Sequence, residues 1–73
     1  SMARMKPVER FLKLNGFTKK LTAFENDKCS VYIDEYSYEV TTRDGSMVSD
    51  NLNIYWLIGV LTYYGLIDKN YKQ

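Results

Sequence analysis

The sequence predicts a small α+β domain, a two-layer sandwich in which an antiparallel meander carries two helices on one face. Both ends of the chain show helical spacing and close on a glycine followed by an apolar residue. Between them, apolar and polar residues alternate as in half-buried strands. The expected order is α-β-β-β(-β)-α in a single domain over residues 1–73, with residues 1–5 a disordered tail or cloning scar.

The first helix is predicted from Pro7 to Asn15. Proline fits the first helical position because the backbone N–H that it lacks would have no partner there. Gly16 follows as the C-cap, and Phe17 is placed to fold back on the last turn. The apolar residues of this helix share one side and are Val8, Phe11 and Leu12.

A first strand is predicted from Lys19 to Phe24, ended by the turn-prone residues 25–28. Its register stays open. Either Leu21 and Ala23 point inward, or Thr22 and Phe24 do, because side chains alternate between the two faces of a strand.

The next two strands are predicted as a hairpin, Cys29 to Ile33 and Tyr36 to Val40, around the turn Asp34-Glu35. The side chains expected on the inner face pair as Cys29 with Val40, Val31 with Tyr38, and Ile33 with Tyr36. Asp-Glu is poor chemistry for a type I′ turn, which indicates a distorted tip. Residues 43–46 form a better turn and lead into a short fourth strand, Met47-Val48.

The second helix is predicted from Leu52 to Tyr64, capped by Ser49 or Asp50 and ended by Gly65, with Leu66 folding back. At 100° per residue this helix is apolar on two sides. The aliphatic side consists of Ile54, Leu57, Ile58 and Leu61. The second, more aromatic side consists of Leu52, Trp56, Val60 and Tyr63, which we call the aromatic stripe.

One apolar side suffices to attach a surface helix to its core. The aromatic stripe therefore needs cover from the first helix, from a second subunit or from a ligand. We expect a homodimer or higher oligomer with the aromatic stripe as its interface, because small domains often gain missing burial by oligomerising.

The composition restricts catalysis. The chain has no histidine, so the usual general base near neutral pH and every Ser-His or Cys-His pair are excluded. We predict no enzyme, no catalytic residue, no cofactor and no metal site. The single cysteine, Cys29, cannot form an intramolecular disulfide and favours a reducing, cytoplasmic location. No signal peptide is visible, and the apolar run at 52–67 is too short for a membrane span.

Charge is segregated along the chain, although the net charge is only +1. Residues 1–20 sum to +5 and residues 21–50 to −5. Arg10 and Lys13 lie on the charged side of the first helix and are candidate ligands for an anion, although a solvated helix face is the simpler interpretation. On the outer face of the sheet, Tyr32, Ser37 and Glu39 form a candidate acidic surface for a protein partner.

The chain resembles the small accessory proteins of phages and mobile elements, which are compact, rich in Tyr and Asn, without catalytic histidine and often homo-oligomeric. The resemblance extends over Lys6–Lys69 and is most distinctive in Asn51–Asp68. It implies inhibition of a host protein, in an anti-defence role, or sequestration of a signalling nucleotide.

The expected function is therefore a non-enzymatic, homo-oligomeric binding module. Its partners are a second copy and either a host protein or an anionic nucleotide held with Arg10, Lys13 and an aromatic side chain. The alternatives are a small nucleic-acid-binding regulator, for which the charge balance is too weakly basic, or a protein-interaction domain of another kind.

Overall fold

The computed structural model describes residues 6–49 and 51–73, which form two helices and a five-stranded antiparallel sheet. This is the predicted α+β class. The helices are α1 (Pro7–Leu14) and α2 (Ile54–Tyr63). The strands are β1 (Thr18–Lys19), β2 (Phe24–Glu25), β3 (Ser30–Ile33), β4 (Tyr38–Thr42) and β5 (Gly45–Val48), and their spatial order follows the chain. The predictions for residues 1–5 and for Asp50 lie outside the described residues.

Each strand joins the next through a turn of two residues, so the sheet is a continuous meander. The turn residues are Leu21-Thr22, Asp27-Lys28, Glu35-Tyr36 and Arg43-Asp44. In the first three turns, the residue before the turn donates its backbone N–H to the carbonyl of the residue after it. In the fourth, Thr42 and Gly45 are ladder partners. The two-residue spacing keeps the alternation of side chains in phase along the sheet.

Side chains at the start of three turns stabilise them. The Oδ1 atoms of Asn26 and Asp34 each accept the backbone N–H groups two and three residues ahead. Thr42 Oγ1 accepts the N–H of Asp44. These bonds replace the Asn-Gly chemistry of type I′ turns, and among the described residues no non-glycine has a positive φ.

The prediction of a single strand from Lys19 to Phe24 is wrong. A turn divides this segment, so Lys19 pairs with Phe24 and Thr18 with Glu25. Neither predicted register holds, because Ala23 and Phe24 are both buried while Leu21, at the tip of the turn, is 99% exposed.

The predicted register of the β3–β4 hairpin is also wrong. Val31 pairs with Val40, and Ile33 pairs with Tyr38 instead of Tyr36. The turn lies one residue later than predicted because the Asp34 carboxylate accepts N–H bonds from Tyr36 and Ser37. A shift of two in the pairing leaves every strand side chain on its predicted face. Tyr36, predicted to point inward, instead lies in the turn and is 75% exposed.

The core lies between the inner face of the sheet and the two helices. The sheet contributes Phe24, Val31, Tyr38 and Val40, and the helices contribute Val8, Phe11, Leu12, Leu57 and Leu61. Leu12, Val31, Val40, Leu57 and Leu61 are fully buried. The inward orientation predicted for Val31, Tyr38 and Val40 is therefore confirmed.

Both helices end as predicted, in a Schellman motif with a left-handed glycine. The N–H of Phe17 donates to the Leu12 carbonyl at 3.0 Å, and the N–H of Leu66 donates to the Leu61 carbonyl at 2.8 Å. Gly16 and Gly65 have φ of +89° and +66°, which only glycine adopts without strain.

The start of α2 differs from the prediction. Asn53 is the N-cap, and its side chain accepts the N–H groups of Tyr55 and Trp56 at 2.9 and 3.2 Å. Ser49, one of the two predicted caps, is used elsewhere: its hydroxyl bonds to the backbone of Asn51. The helix is therefore shorter than predicted, and Leu52 lies before its first turn.

Two asparagines attach later segments of the chain to the fold. Asn15 Nδ2 donates to the Lys72 carbonyl and Asn15 Oδ1 accepts the Lys72 N–H, both at 2.8 Å. Asn26 Nδ2 donates to the Leu66 carbonyl at 2.8 Å. Beside the first of these contacts, the rings of Tyr71 and Phe11 meet edge to face at 5.8 Å.

Candidate functional site

The solvent-facing side of α2 is uncharged and rich in tyrosine. Residues 51–67 contain no Asp, Glu, Lys or Arg. Because Leu57 and Leu61 face the sheet, the opposite side of the helix presents Tyr55, Gly59 and Tyr63 at four-residue spacing. The two tyrosines are 81% and 82% exposed. Charged side chains, which normally cover an exposed helix face, are absent from it.

The structure separates the four residues of the predicted aromatic stripe. Trp56 and Val60 are half-buried and pack against the core. Leu52 and Tyr63 remain exposed, at 46% and 82%. Half of the aromatic stripe therefore packs against the core, to which both helices and the sheet contribute, and the other half is exposed to solvent.

Tyr64 extends this exposed surface toward the C-terminal end of α2. Its ring meets that of Tyr63 edge to face at 4.9 Å, and 56% of the residue is exposed. We refer to Leu52, Tyr55, Tyr63 and Tyr64 as the tyrosine face. Tyrosine combines a rigid apolar ring with a polar tip, the chemistry that is enriched at protein interfaces.

A cleft of about 270 Å³ runs between α1 and α2 beside the tyrosine face. Its walls are mostly apolar and are formed by Pro7, Phe11, Leu14, Ile54, Tyr55, Ile58 and Tyr71, with Arg10 and Gln73 as the polar members. The cleft thus places one cationic side chain beside three aromatic rings, those of Phe11, Tyr55 and Tyr71. Its volume lies just below the usual range for small-molecule sites.

Of the two predicted anion ligands, only Arg10 lines this cleft. Lys13 is exposed one turn further along α1 and does not contribute to the walls. The structure therefore places Arg10 next to aromatic side chains but does not bring Arg10 and Lys13 together around one cavity.

The predicted partner surface on the sheet is only partly assembled. Tyr32 and Glu39 are directly opposite each other on adjacent strands. Ser37 lies at the turn, where its hydroxyl donates to the Asp34 carboxylate at 3.3 Å. The hydrogen bonds that the Asp34 carboxylate accepts from the N–H groups of Tyr36 and Ser37 lower its pKa, so this turn carries a negative charge down to acidic pH.

Two further side chains on this side of the sheet, Thr41 and Ser46, are small and polar, whereas Val48, opposite Glu39, is apolar and 57% exposed. Thr41 bonds to Ser46 at 2.9 Å and to the Glu39 carboxylate at 3.3 Å. These bonds satisfy the polar side chains within the chain itself. Tyr32, the aromatic residue of this face, is 38% exposed, against 81% and 82% for Tyr55 and Tyr63 of α2.

A larger concavity of about 750 Å³ lies at one end of the sheet, between the β4–β5 turn and the C-terminal end of α2. Gly45, Ser46 and Met47 of β5 form one wall, and Tyr64, Gly65 and Leu66 form another. Two cations and two carboxylates, Lys28, Arg43, Asp27 and Asp44, surround the rest. Lys28 Nζ donates to the Gly65 carbonyl at 3.2 Å, which places a positive charge at the negative end of the α2 dipole.

The described residues offer little for chemistry. No group of three or more His, Cys, Asp or Glu side chains lies close enough within them to hold a metal ion. Cys29 is buried, and this burial, with a smaller effect of Asp27, raises the pKa of its thiol to about 11. The thiolate needed for nucleophilic chemistry is therefore scarce near neutral pH. Neither α1 nor α2 has the length and apolarity that a membrane-crossing helix requires.

Sequence reasoning missed three contributors to these surfaces, Tyr55, Tyr64 and Tyr71. Tyr55 lies on the side of α2 opposite Leu57 and Leu61, and that position was a usable signal. Tyr71 follows a polar segment without periodicity, and nothing local in the sequence indicates that it packs on Phe11.

No protein-family model matches the chain, and no curated protein or solved structure matches it either. The function proposed below therefore depends on the sequence and structure of the chain itself.

Proposed function

We propose that the protein is a non-enzymatic, homo-oligomeric binding module that associates through the solvent-facing side of α2. The observation that supports this most directly is the uncharged tyrosine face, with Tyr55 and Tyr63 more than four-fifths exposed. In the proposed assembly, Leu52, Trp56, Val60 and Tyr63 form the interface together with Tyr55 and Tyr64.

A second copy is the occupant that this surface fits best. The exposed parts of three tyrosines and Leu52 amount to roughly 500 Å², at about 150–250 Å² for each fully buried aromatic side chain. Each partner in a stable interface of standard size contributes about 800 Å², so this face supplies its apolar centre and neighbouring residues supply the rim. Gly59 lies between the two tyrosines, and a two-fold axis there lets two helices approach closely.

The biological role that we propose is that of a cytoplasmic accessory protein of the phage or mobile-element type, which inhibits a host protein or sequesters a signalling nucleotide. The resemblance of Lys6–Lys69 to such proteins supports it, as does the absence of histidine.

Light scattering coupled to size exclusion, at several protein concentrations, tests the assembly. We expect a mass of at least twice the 8.6 kDa of the chain. Tyr63→Lys should weaken association by about 30-fold or more, the scale of an interface hot spot of about 2 kcal/mol. Trp56→Glu is a poorer test because Trp56 also packs on the core, where a charge would destabilise the monomer.

Tyr36→Lys is the matched control. Tyr36 is 75% exposed, close to the 82% of Tyr63, but it lies in the β3–β4 turn. The control variant should keep the wild-type mass, and circular dichroism should show that both variants are folded. A wild-type mass of 8.6 kDa at all concentrations would rule out the proposed assembly.

A second candidate is the binding of an anionic nucleotide in the cleft between α1 and α2. One observation favours it: Arg10, Tyr55 and Tyr71 line the same cavity, so a phosphate and a base have adjacent partners. Titration with nucleoside phosphates should then show binding that weakens with added salt. Arg10→Met should abolish this binding and Lys13→Met should leave it within about twofold, whereas equal effects of the two variants would indicate a diffuse charge effect.

A further inference from the structure

Strand β5 is at one edge of the sheet, and its backbone groups alternate between two directions. Within the described residues, β5 has a neighbouring strand only on the β4 side. The Ser49 N–H donates to the Tyr38 carbonyl at 2.9 Å, which fixes the phase of the ladder. Gly45, Met47 and Ser49 therefore direct their N–H and C=O groups toward β4, and Ser46 and Val48 direct theirs away from the sheet.

This edge lacks the devices that usually protect an exposed strand. β5 consists of Gly45, Ser46, Met47 and Val48, and it contains neither proline nor a charged residue. The opposite edge differs in two ways. Strand β1 has only two residues, and it ends with Lys19, which is followed by Lys20. The N–H and C=O groups of Ser46 and Val48 thus form a short template for an additional strand.

The concavity of about 750 Å³ adjoins this template. Three of its lining residues, Gly45, Ser46 and Met47, belong to β5 itself. A strand added to β5 would direct every second side chain toward the inner face, beside the half-buried Met47. Tyr64 and Leu66 supply apolar surface there. The charged residues at the far side of the concavity are two cations and two carboxylates, so their net charge is zero. The net charge of the concavity therefore does not favour an acidic or a basic partner.

We propose that β5 and this concavity together bind an extended segment of another protein, which adds a sixth strand to the sheet and inserts a bulky apolar side chain beside Met47. The main-chain bonds to Ser46 and Val48 supply affinity, and the concavity supplies specificity. A second copy fits less well. In a pair of β5 strands the inner-face residue is Met47, which packs against its own core and leaves both concavities unfilled.

Amide hydrogen exchange on the free protein is the first test. We expect the amides of Ser46 and Val48 to exchange at close to intrinsic rates, and that of Met47 at least about 100-fold more slowly. If Ser46 and Val48 are protected at every concentration, the edge is already covered and the proposal fails. If their protection rises with protein concentration, a second copy occupies the edge, which also overturns it.

A peptide probe tests the occupant. The probe is a capped heptapeptide of alternating threonine and valine with a central tryptophan, and the control has alanine at the centre. NMR titration should shift the amides of Ser46, Met47 and Val48, and the tryptophan peptide should bind about tenfold or more tightly, as expected for one buried aromatic side chain. Equal affinities would exclude the concavity as a specificity pocket.

A modified peptide and two protein variants distinguish main-chain pairing from non-specific hydrophobic binding. N-methylation of the peptide residues that face β5 should abolish binding without any change to the protein. Val48→Pro removes an N–H that points away from β4, whereas Val48→Thr keeps it. The Val48→Pro protein should lose peptide binding, and the Val48→Thr protein should keep it. Binding that survives peptide N-methylation would overturn the proposal even if Val48→Pro does not fold.

Discussion

The two helices are alike in how they attach to the sheet and unlike in what they show to solvent. Each buries one leucine completely at the corresponding position before its Schellman end, Leu12 in α1 and Leu61 in α2. The exposed side of α1 carries Lys6, Arg10 and Lys13. The exposed side of α2 carries tyrosines and no charge.

This contrast shows that attachment to the core and exposure to solvent are separate requirements on a helix. Burial of one apolar side satisfies the first requirement in both helices. Only α1 also has the charged side that keeps a helix solvated. In our proposal, the surplus apolar surface of α2 is therefore the surface that a second copy covers. Mutations at matched positions in the two helices test this view.

The largest effect is expected in the buried halves, where the helices should behave alike. Leu12→Ala and Leu61→Ala each remove a fully buried side chain, and each should lower the free energy of unfolding by about 2–5 kcal/mol. Denaturant unfolding at low protein concentration measures both. A loss below 1 kcal/mol at either position would mean that this helix does not depend on the core as described.

The asparagine contacts should give the next largest effect. Asn15→Ala frees the two backbone groups of Lys72, and Asn26→Ala frees the Leu66 carbonyl and the Lys28 and Cys29 amides. Each substitution should cost about 1–3 kcal/mol. Hydrogen exchange should also show loss of protection at Lys72 in the first variant only. A change at Lys72 in both variants would indicate that the two ends of the molecule are coupled.

The helix ends should respond equally to a smaller change. Gly16→Ala and Gly65→Ala force an L-residue to φ of +89° and +66°, at a cost of about 1–2 kcal/mol. A Cβ atom at either position meets no atom within 4 Å, so the cost reflects backbone strain and not a clash. Thermal unfolding of the two variants compares them directly, and a clearly larger loss for one glycine would break the equivalence of the two caps.

The smallest effect on stability, and the sharpest contrast, is expected at the exposed sides. Lys13→Ala in α1 and Tyr63→Ala in α2 should each change monomer stability by no more than about 0.5 kcal/mol, because both side chains are exposed. Only Tyr63→Ala should reduce the mass in solution. If Lys13→Ala reduces it as well, α1 belongs to the interface and the contrast between the helices disappears.

Much of the fold follows from local sequence. Pro7 and Gly16 define α1, and Gly65 defines the end of α2, because each residue has a backbone preference that its neighbours do not change. The faces of Val31, Tyr38 and Val40 follow from alternation alone. The start of α1, the C-terminal ends of both helices and the faces of β3 and β4 are therefore properties that the sequence by itself determines in this protein.

The pairing of strands and the exposure of α2 depended on the tertiary structure. Alternation has a period of two, so it cannot distinguish Ile33 opposite Tyr36 from Ile33 opposite Tyr38; the side-chain bonds of Asp34 decide that choice. The residues of the aromatic stripe likewise share one helical spacing, but they lie in two different environments. Trp56 meets the core and Tyr63 meets solvent, because burial depends on which elements pack alongside a helix and not on its own spacing.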